Sequence, residues 1–409
     1  MKLVQANEGG DPAPLHAAQD VVSSVGDIRQ RVKVVTEVAA SNADAVDRNS
    51  RFPSEAISAA KVQRLLGIFV PTSFGGEGAP VSEVVEACFM LARACGSTGM
   101  IYAMHQIMVA CLVRHMRGTA WHGGLLRRLC EKQMLLASST TDGMGGGDLR
   151  KSDCAVEHTA SGFTLTKSAT VLSYGANADG ILTTARRTPE SPPTDQVFVA
   201  LNKDDYELHH LVDWDTLGMR GTCSTGFTLK SRGAVEQIFP EPYHKIHSQT
   251  VMPFANLTWA AVWAGIAASA GDRARGLTRK AARKASDKLP PGAAHVTRAS
   301  ATLVMLRSAI STALNDYDSV MGNEGATEAL EFQVRMNLLK VNASELAISI
   351  VMSALQACGL SGYRNDGEFS IARQLRDVMS SSIMINNDRI LANVASTALL
   401  VDVVSSLTD

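Results

Sequence analysis

From Val21 to about Met134 the apolar positions recur at helical spacing. Examples are Ile57, Ala60 and Val62 with Leu65 and Leu66, then Val81, Val84, Val85, Cys88 and Leu91. The breaks fall where helices should break, since Phe52-Pro53-Ser54-Glu55 puts a proline at a helix start and Pro71–Gly78 reads as a loop. A third helix carries Met100, Ile101, Met104, Ile107, Met108 and Cys111, and its nearly all-round apolarity predicts burial in the middle of a bundle. Near Leu135 the period drops to two. Met134–Ala137, Phe163–Thr166, Gly180–Thr184, Gln196–Leu201 and Gly226–Lys230 read as strands, with turn signals at Ala160–Gly162 and Pro189–Thr194. Around Val251 the helical period returns. Leu303, Leu306, Ile310, Leu314 and Tyr317 share one face, and Phe332, Met336, Leu339, Ala343, Leu346 and Ile350 another, with a helix break at Lys288–Gly292. The expected organisation is α+β and multidomain: helices over residues 1–134, a β-domain over 135–245, and helices again over 246–409.

Composition narrows the function classes. Only 19% of the 409 residues are charged while 45% are apolar, below the roughly 25% charged content of an ordinary soluble domain, so much surface should be buried against other domains or subunits. This suggests a homo-oligomer. Lys and Arg (39) nearly balance Asp and Glu (40), and no long run of like charge occurs, which argues against nucleic acid or an anionic membrane as partner. Met1–His16 has no apolar leader core, and no stretch of membrane-spanning length is free of charge, so the expected location is the cytoplasm. The seven cysteines are odd in number and scattered without C-x-x-C spacing, as for reduced buried thiols rather than a disulfide or zinc framework, and no metal site is expected.

Three loops can carry chemistry. Ser138–Asp148 combines hydroxyls with a glycine cluster after a strand, which lets backbone N–H groups approach a ligand; it can equally be a Gly-rich turn. Leu172–Asp179 offers groups able to face a planar ligand, or a polar hairpin connection. Leu217–Ser224 is a small-residue loop before a strand, with a bulge as its plain alternative. His105 sits in the apolar helix with no visible acidic partner and reads either as a satisfied core histidine or as a ligand-facing one. No metalloprotease, nucleophile-elbow or EF-hand pattern occurs.

The helix–sheet–helix order, Phe52-Pro53 followed by Phe74-Gly75-Gly76-Glu77-Gly78, the loop ending in Gly147-Asp148, the Leu217–Ser224 loop, and Gln356, Gly359 and Gly362 followed by Arg376-Asp377 together resemble the acyl-CoA dehydrogenase family. That resemblance implies an FAD enzyme with an N-terminal helical domain, a central antiparallel β-barrel and a C-terminal four-helix bundle, assembled as a dimer or homotetramer. It implies cofactor contacts from Thr141, Gly147, Asp148, Leu172 and Ser173, and from Gln356, Gly359 and Gly362 across a subunit interface; Val171 stands where the family keeps a flavin-shielding Trp. It also implies that Tyr102, Met104, His105 and Met108 line the acyl end of a pocket, suited to a short or modified acyl group on CoA or an acyl carrier protein.

The family's chemistry needs a carboxylate base to take an α-proton while hydride goes to flavin N5. Here the usual Glu position falls at Ile385 and the alternative one near Thr258. Asp388 could act from one turn further on, or Asp142 could serve. The reaction could instead be oxygenation, because the superfamily contains monooxygenases that take reduced FMN or FADH2 from a partner reductase, need no such base, and often carry a histidine in the helix of His105. The C-terminal histidine common among them is replaced by Ser380-Ser381-Ser382. A non-catalytic flavin-fold scaffold is the third possibility.

Overall fold

The structure, a computed structural model, describes residues 27–115, 119–143, 151–284 and 289–401. Five helices come first: α1 (Ile28–Arg48), α2 (Ser54–Val62), α3 (Val81–Ala94), α4 (Gly96–His115) and α5 (Ala120–Lys132). In α1 the Asp27 side chain caps the first turn by accepting from Arg29 N, and Val32, Val35, Ala39, Ala43 and Val46 form the buried stripe. Helix α4 is buried nearly all round, as its pattern predicts, and only Met104, Val113 and Arg114 are partly exposed.

The middle of the chain forms two sheets rather than one closed antiparallel barrel. Strands β1 (Leu136–Ser139), β4 (Gly180–Arg186) and β5 (Gln196–Asn202) make one, with β1 parallel to β4. Strands β2 (Glu157–Thr159), β3 (Gly162–Ala169), β7 (Gly226–Gly233) and β6 (Tyr206–Val212) make the other, antiparallel and in that order. β4 and β5 are buried on both faces up to their last residues, Arg186 and Asn202, with Thr183 and Thr184 among the buried positions, whereas β3 alternates buried and exposed because one face meets solvent. The sequence pattern missed β2 and β6, since every residue of β2 is exposed and β6 is buried only at Tyr206.

After α6 (Tyr243–Ile246) and one π-helical turn, His247–Val251, comes α7 (Met252–Ala282), followed by α8 (Ala293–Val320), α9 (Glu324–Glu328), α10 (Leu330–Cys358), α11 (Leu360–Tyr363), α12 (Ala372–Ile383) and α13 (Asn387–Ala398). Helices α7, α8, α10 and α12 pack on one another, and α3 packs against α7. The many small residues of α7 allow that approach. A Cβ on Gly265 would lie 2.4 Å from the Phe89 carbonyl oxygen. Gly96–His115, Tyr243–Ala282 and Leu330–Cys358 are long and apolar enough to cross a membrane by length and composition, and 89%, 94% and 56% of their most apolar windows are buried inside the protein. This packing accounts for much of the low charged content.

Candidate active site

A cavity of about 570 Å³ lies where the sheets meet the helices. Its sheet-side wall is hydroxyl-rich: Ser138, Thr140, Thr141, Ser173, Thr222 and Ser224. Its helical wall is apolar apart from Ser380, built from Met100, Met104, Ile107 and Met108 of α4, Val251, Ala255 and Trp259 around the start of α7, and Met379, Ile383, Met384 and Ile385 at and just after the end of α12. Trp214 and Leu217–Met219 close one side.

The hydroxyl wall is held by its own backbone. Leu172 N donates to Thr225 O and Tyr174 N to Thr222 O, which stitches the 171–175 loop to the 222–225 loop. Ser173 Oγ lies 2.8 Å from Ser224 Oγ, which lies 2.7 Å from Thr222 Oγ1. Tyr174, Met219 and Cys223 all have positive φ, so both loops store backbone strain next to the cavity. A buried ion pair anchors the strand behind them. Lys167 Nζ is 2.6 Å from Asp142 Oδ1 and also donates to Ser139 O and to Thr184 O and Oγ1. Asp142 Oδ2 accepts from Ser152 Oγ and from the N–H groups of Asp153 and Cys154. Burial pushes the Asp142 carboxyl up, but Lys167 and these donors outweigh it and hold the group below its ordinary value.

The helical wall ends in a tight turn between α12 and α13. Ile385 has φ +46, a costly conformation for a β-branched residue. Lys340, fully buried on α10, donates to Ser381 O, Ile385 O and Asn387 Oδ1 at 2.7–2.9 Å and sits over the Trp263 ring. Burial pushes its ammonium down to about 7. The loop of Trp214–Met219 is pinned to α12. Asp377 Oδ1 accepts from Met219 N at 2.7 Å, and Gly218 lies so close that a Cβ there would meet the Arg376 carbonyl oxygen at 2.1 Å.

These positions sort the residues expected from the sequence. Thr141, Ser173, Met104 and Met108 line the cavity, while Leu172 is buried behind it, with Gly175 packed on its side chain. Tyr102 and His105 do not line it, against the acyl-pocket expectation, because both point to the other side of α4. Tyr102 Oη donates to Leu65 O, and His105 Nε2 donates to Leu66 O while its Nδ1 accepts from Leu136 N. Desolvation lowers the His105 pKa to about 4 and keeps it neutral, so it is a satisfied core histidine rather than a catalytic one. Asp142 is saturated by its partners, and Asp388 is exposed in the first turn of α13, outside the cavity lining. Gln356 and Gly359, at the end of α10, are exposed and Gly362, in α11, is buried, all of them outside the cavity lining. Gly147 and Asp148 lie outside the described residues. Trp214, Trp259, Met379, Ile383 and Met384 were not expected from the sequence; Trp259, beside Thr258, and Ile383 and Met384, next to Ile385, were within reach, whereas nothing local marks Trp214 or Met379.

No Asp or Glu lines the cavity among the described residues, and its one charged side chain, Arg376, is bonded to Asp47. Ile385 faces it where the base was sought. Thr258 is buried, with its hydroxyl donating to Phe254 O and Ala255 O. Asp377, whose carboxyl burial pushes up to about 6, lies behind the wall and is engaged by Met219 N. A planar ring system with one polar edge fits this arrangement, its edge towards the hydroxyls and its faces against methionine and tryptophan.

Comparison with known proteins agrees with the fold. A probable acyl-CoA dehydrogenase of Mycobacterium leprae (strain TN) is 24% identical over 373 residues, 89% of this chain and 92% of its own. The oxygenase component of an FADH(2)-dependent resorcinol hydroxylase of Rhizobium sp. (strain MTP-10005) is 31% identical over 94 residues, 22% of this chain and 23% of that protein. Among solved structures, FMN-bound TdsC of Paenibacillus sp. A11-2, a dibenzothiophene monooxygenase, superposes with TM-score 0.79 at 17% identity, covering 91% of this chain and 97% of that one. Methanesulfinate monooxygenase MsuC of Pseudomonas fluorescens gives TM-score 0.78 at 18% identity, covering 94% and 100%. Residues 27–121 match the acyl-CoA dehydrogenase N-terminal domain and residues 249–400 its C-terminal domain, together more than half of the sequence. The chain therefore belongs to the acyl-CoA dehydrogenase family, whose members are flavin-dependent enzymes.

Proposed function

We propose that this protein is the oxygenase component of a two-component flavin monooxygenase, supplied with reduced FMN or FADH2 by a partner reductase. The observation that carries this reading is the cavity wall: α,β-desaturation of an acyl thioester needs a carboxylate within reach of the α-carbon, and no described lining residue has one. When bound, the reduced flavin supplies two electrons and activates O2. In the net reaction one oxygen atom enters the substrate and the other leaves as water, which takes the two hydrogens of the reduced flavin and leaves the flavin oxidised. The chain's own residues do the rest. Thr141, Ser173 and Ser224 would hold the polar edge of the flavin ring, and the methionines and Trp259 would exclude water and pack against the ring and the substrate beside it. Gln356, Gly359 and Gly362, at the end of α10 and in α11, are assigned to the flavin of a neighbouring subunit in a homo-oligomer. The protein is placed in the cytoplasm.

Oxidation of an acyl thioester is the second reading. It is favoured by the near full-length likeness to a probable acyl-CoA dehydrogenase. Anaerobic spectroscopy separates the two. On the first reading the FAD-loaded protein keeps its oxidised spectrum when short acyl-CoA thioesters are added, and with reduced flavin it consumes O2. Bleaching of the oxidised flavin by a thioester would establish the second.

A further inference from the structure

From the chemistry of the cavity, we infer that the substrate is a neutral, apolar aromatic molecule that enters without a charged handle. This rests on the oxygenase reading and narrows it. Three observations carry it.

Opposite the hydroxyl wall, the lining residues from α4, α7 and the end of α12 bear no charge, and methionine predominates among them. Thioether side chains match a polarisable ring, and the Trp259 N–H and the Ser380 hydroxyl on this side can meet a neutral acceptor but bring no charge to a carboxylate, sulfinate or phosphate. The mouth has the same character. Val171, Leu217 and Ile383, from three separate elements, are 47%, 64% and 70% exposed while lining the cavity, so its lip is apolar. Finally, the adjoining arginine-bearing groove shares Thr216, Leu217 and Arg376 with the cavity, but much of its charge is already matched. Arg376 is bonded to Asp47, Arg373 Nε lies 3.3 Å from Asp44, and Arg220 lies 3.5 Å from Asp215. An anionic substrate handle that engaged those three arginines would have to displace their partners, whereas a neutral ring displaces none; Arg48 and Arg273 line the same groove.

Two fluorescent probes with one skeleton provide the test: neutral phenylnaphthylamine and its anilinonaphthalene sulfonate counterpart, titrated into the full-length protein with and without oxidised FMN. The neutral probe should saturate near one per chain and bind at least about tenfold more tightly than the sulfonate, since the anion loses its hydration with no partner in return. Met104→Glu, which puts a carboxylate on the cavity wall, should weaken the neutral probe by at least about tenfold. Because that variant could misfold, Ile383→Glu at the exposed lip serves as a second, with a smaller loss in the same direction. Equal or tighter binding of the sulfonate, stoichiometric displacement of the neutral probe by butanoyl-CoA, or unchanged binding in both variants would overturn the inference. Flavin binding is read separately from its visible spectrum: protein that takes up the probe but no flavin refutes the oxygenase reading alone, and protein that takes up flavin but no neutral probe refutes the substrate class alone.

Discussion

The two walls of the cavity each depend on a fully buried lysine, and the two lysines are satisfied differently. Lys167, behind the hydroxyl wall, has a carboxylate partner in Asp142 as well as three oxygen acceptors. Lys340, behind the apolar wall, has two carbonyls, one side-chain amide oxygen and the face of Trp263, with no carboxylate bonded to it among the described residues. On the sheet side a neutralised pair fixes the strand that presents Thr140 and Thr141. On the helical side a lone ammonium ties down the strained Ile385 turn while adding no acid to the cavity. A carboxylate that paired with Lys340 through that turn would stand close to the substrate, so its absence keeps this wall without a base.

Breaking the first lysine should have the larger effect. Lys167→Met leaves Asp142 buried without its cation and should cost about 3–5 kcal/mol in denaturant unfolding, with partial recovery in the Lys167→Met, Asp142→Asn double variant. An unchanged midpoint in the single variant would show that the pair is not what holds this wall. A third buried basic group, His105, extends the comparison to α4. Its pKa is depressed from 6.5 to about 4, so the stability it contributes is present above pH 6.5 and is lost as pH falls towards 4, by up to about 3 kcal/mol. Asp377, pushed up to about 6, titrates in the same window with the opposite sign, so the His105 contribution is read as the stability difference between the native chain and His105→Leu, which should shrink as pH falls from 6.5 towards 4.

Lys340→Met leaves acceptors unmatched but no opposing charge, and should cost about 1–3 kcal/mol. Its clearer signature is functional: release of the Ile385 turn should weaken neutral ligands more than it lowers the melting temperature. The smallest effect is expected at Asp388. Exposed and outside the lining, it should tolerate Asp388→Ala with stability changed by under about 0.5 kcal/mol and turnover unaffected. Loss of turnover there would return it to consideration as the base.

Elements with one strong period were legible from sequence. The α3 stripe, the all-round apolarity of α4 and the faces of α8 and α10 all correspond to helices in the structure. β2 and β6 were not, because exposed strands lack the alternation that burial imposes. The parallel pairing of β1 with β4 joins segments more than forty residues apart, and local pattern carries no record of it. At the site, composition marked the hydroxyl-bearing loops, and the family resemblance singled out Thr141 and Ser173 within them; both line the cavity. His105 illustrates the limit: the sequence shows a histidine on an apolar helix, but its partners are backbone groups of Leu66 and Leu136, distant in the chain and invisible to any motif. Trp214 and Ile383 reach the cavity through loop and turn geometry that periodicity does not encode.

The central claim is that this cavity works without a carboxylate base. The most direct test is an anaerobic titration of the FAD-loaded protein with short acyl-CoA thioesters, followed by addition of reduced flavin and air while O2 consumption is recorded. The account predicts no bleaching in the first stage and O2 uptake in the second that rises with a neutral aromatic substrate. Stoichiometric bleaching by a thioester, with no O2 uptake dependent on reduced flavin, would contradict it.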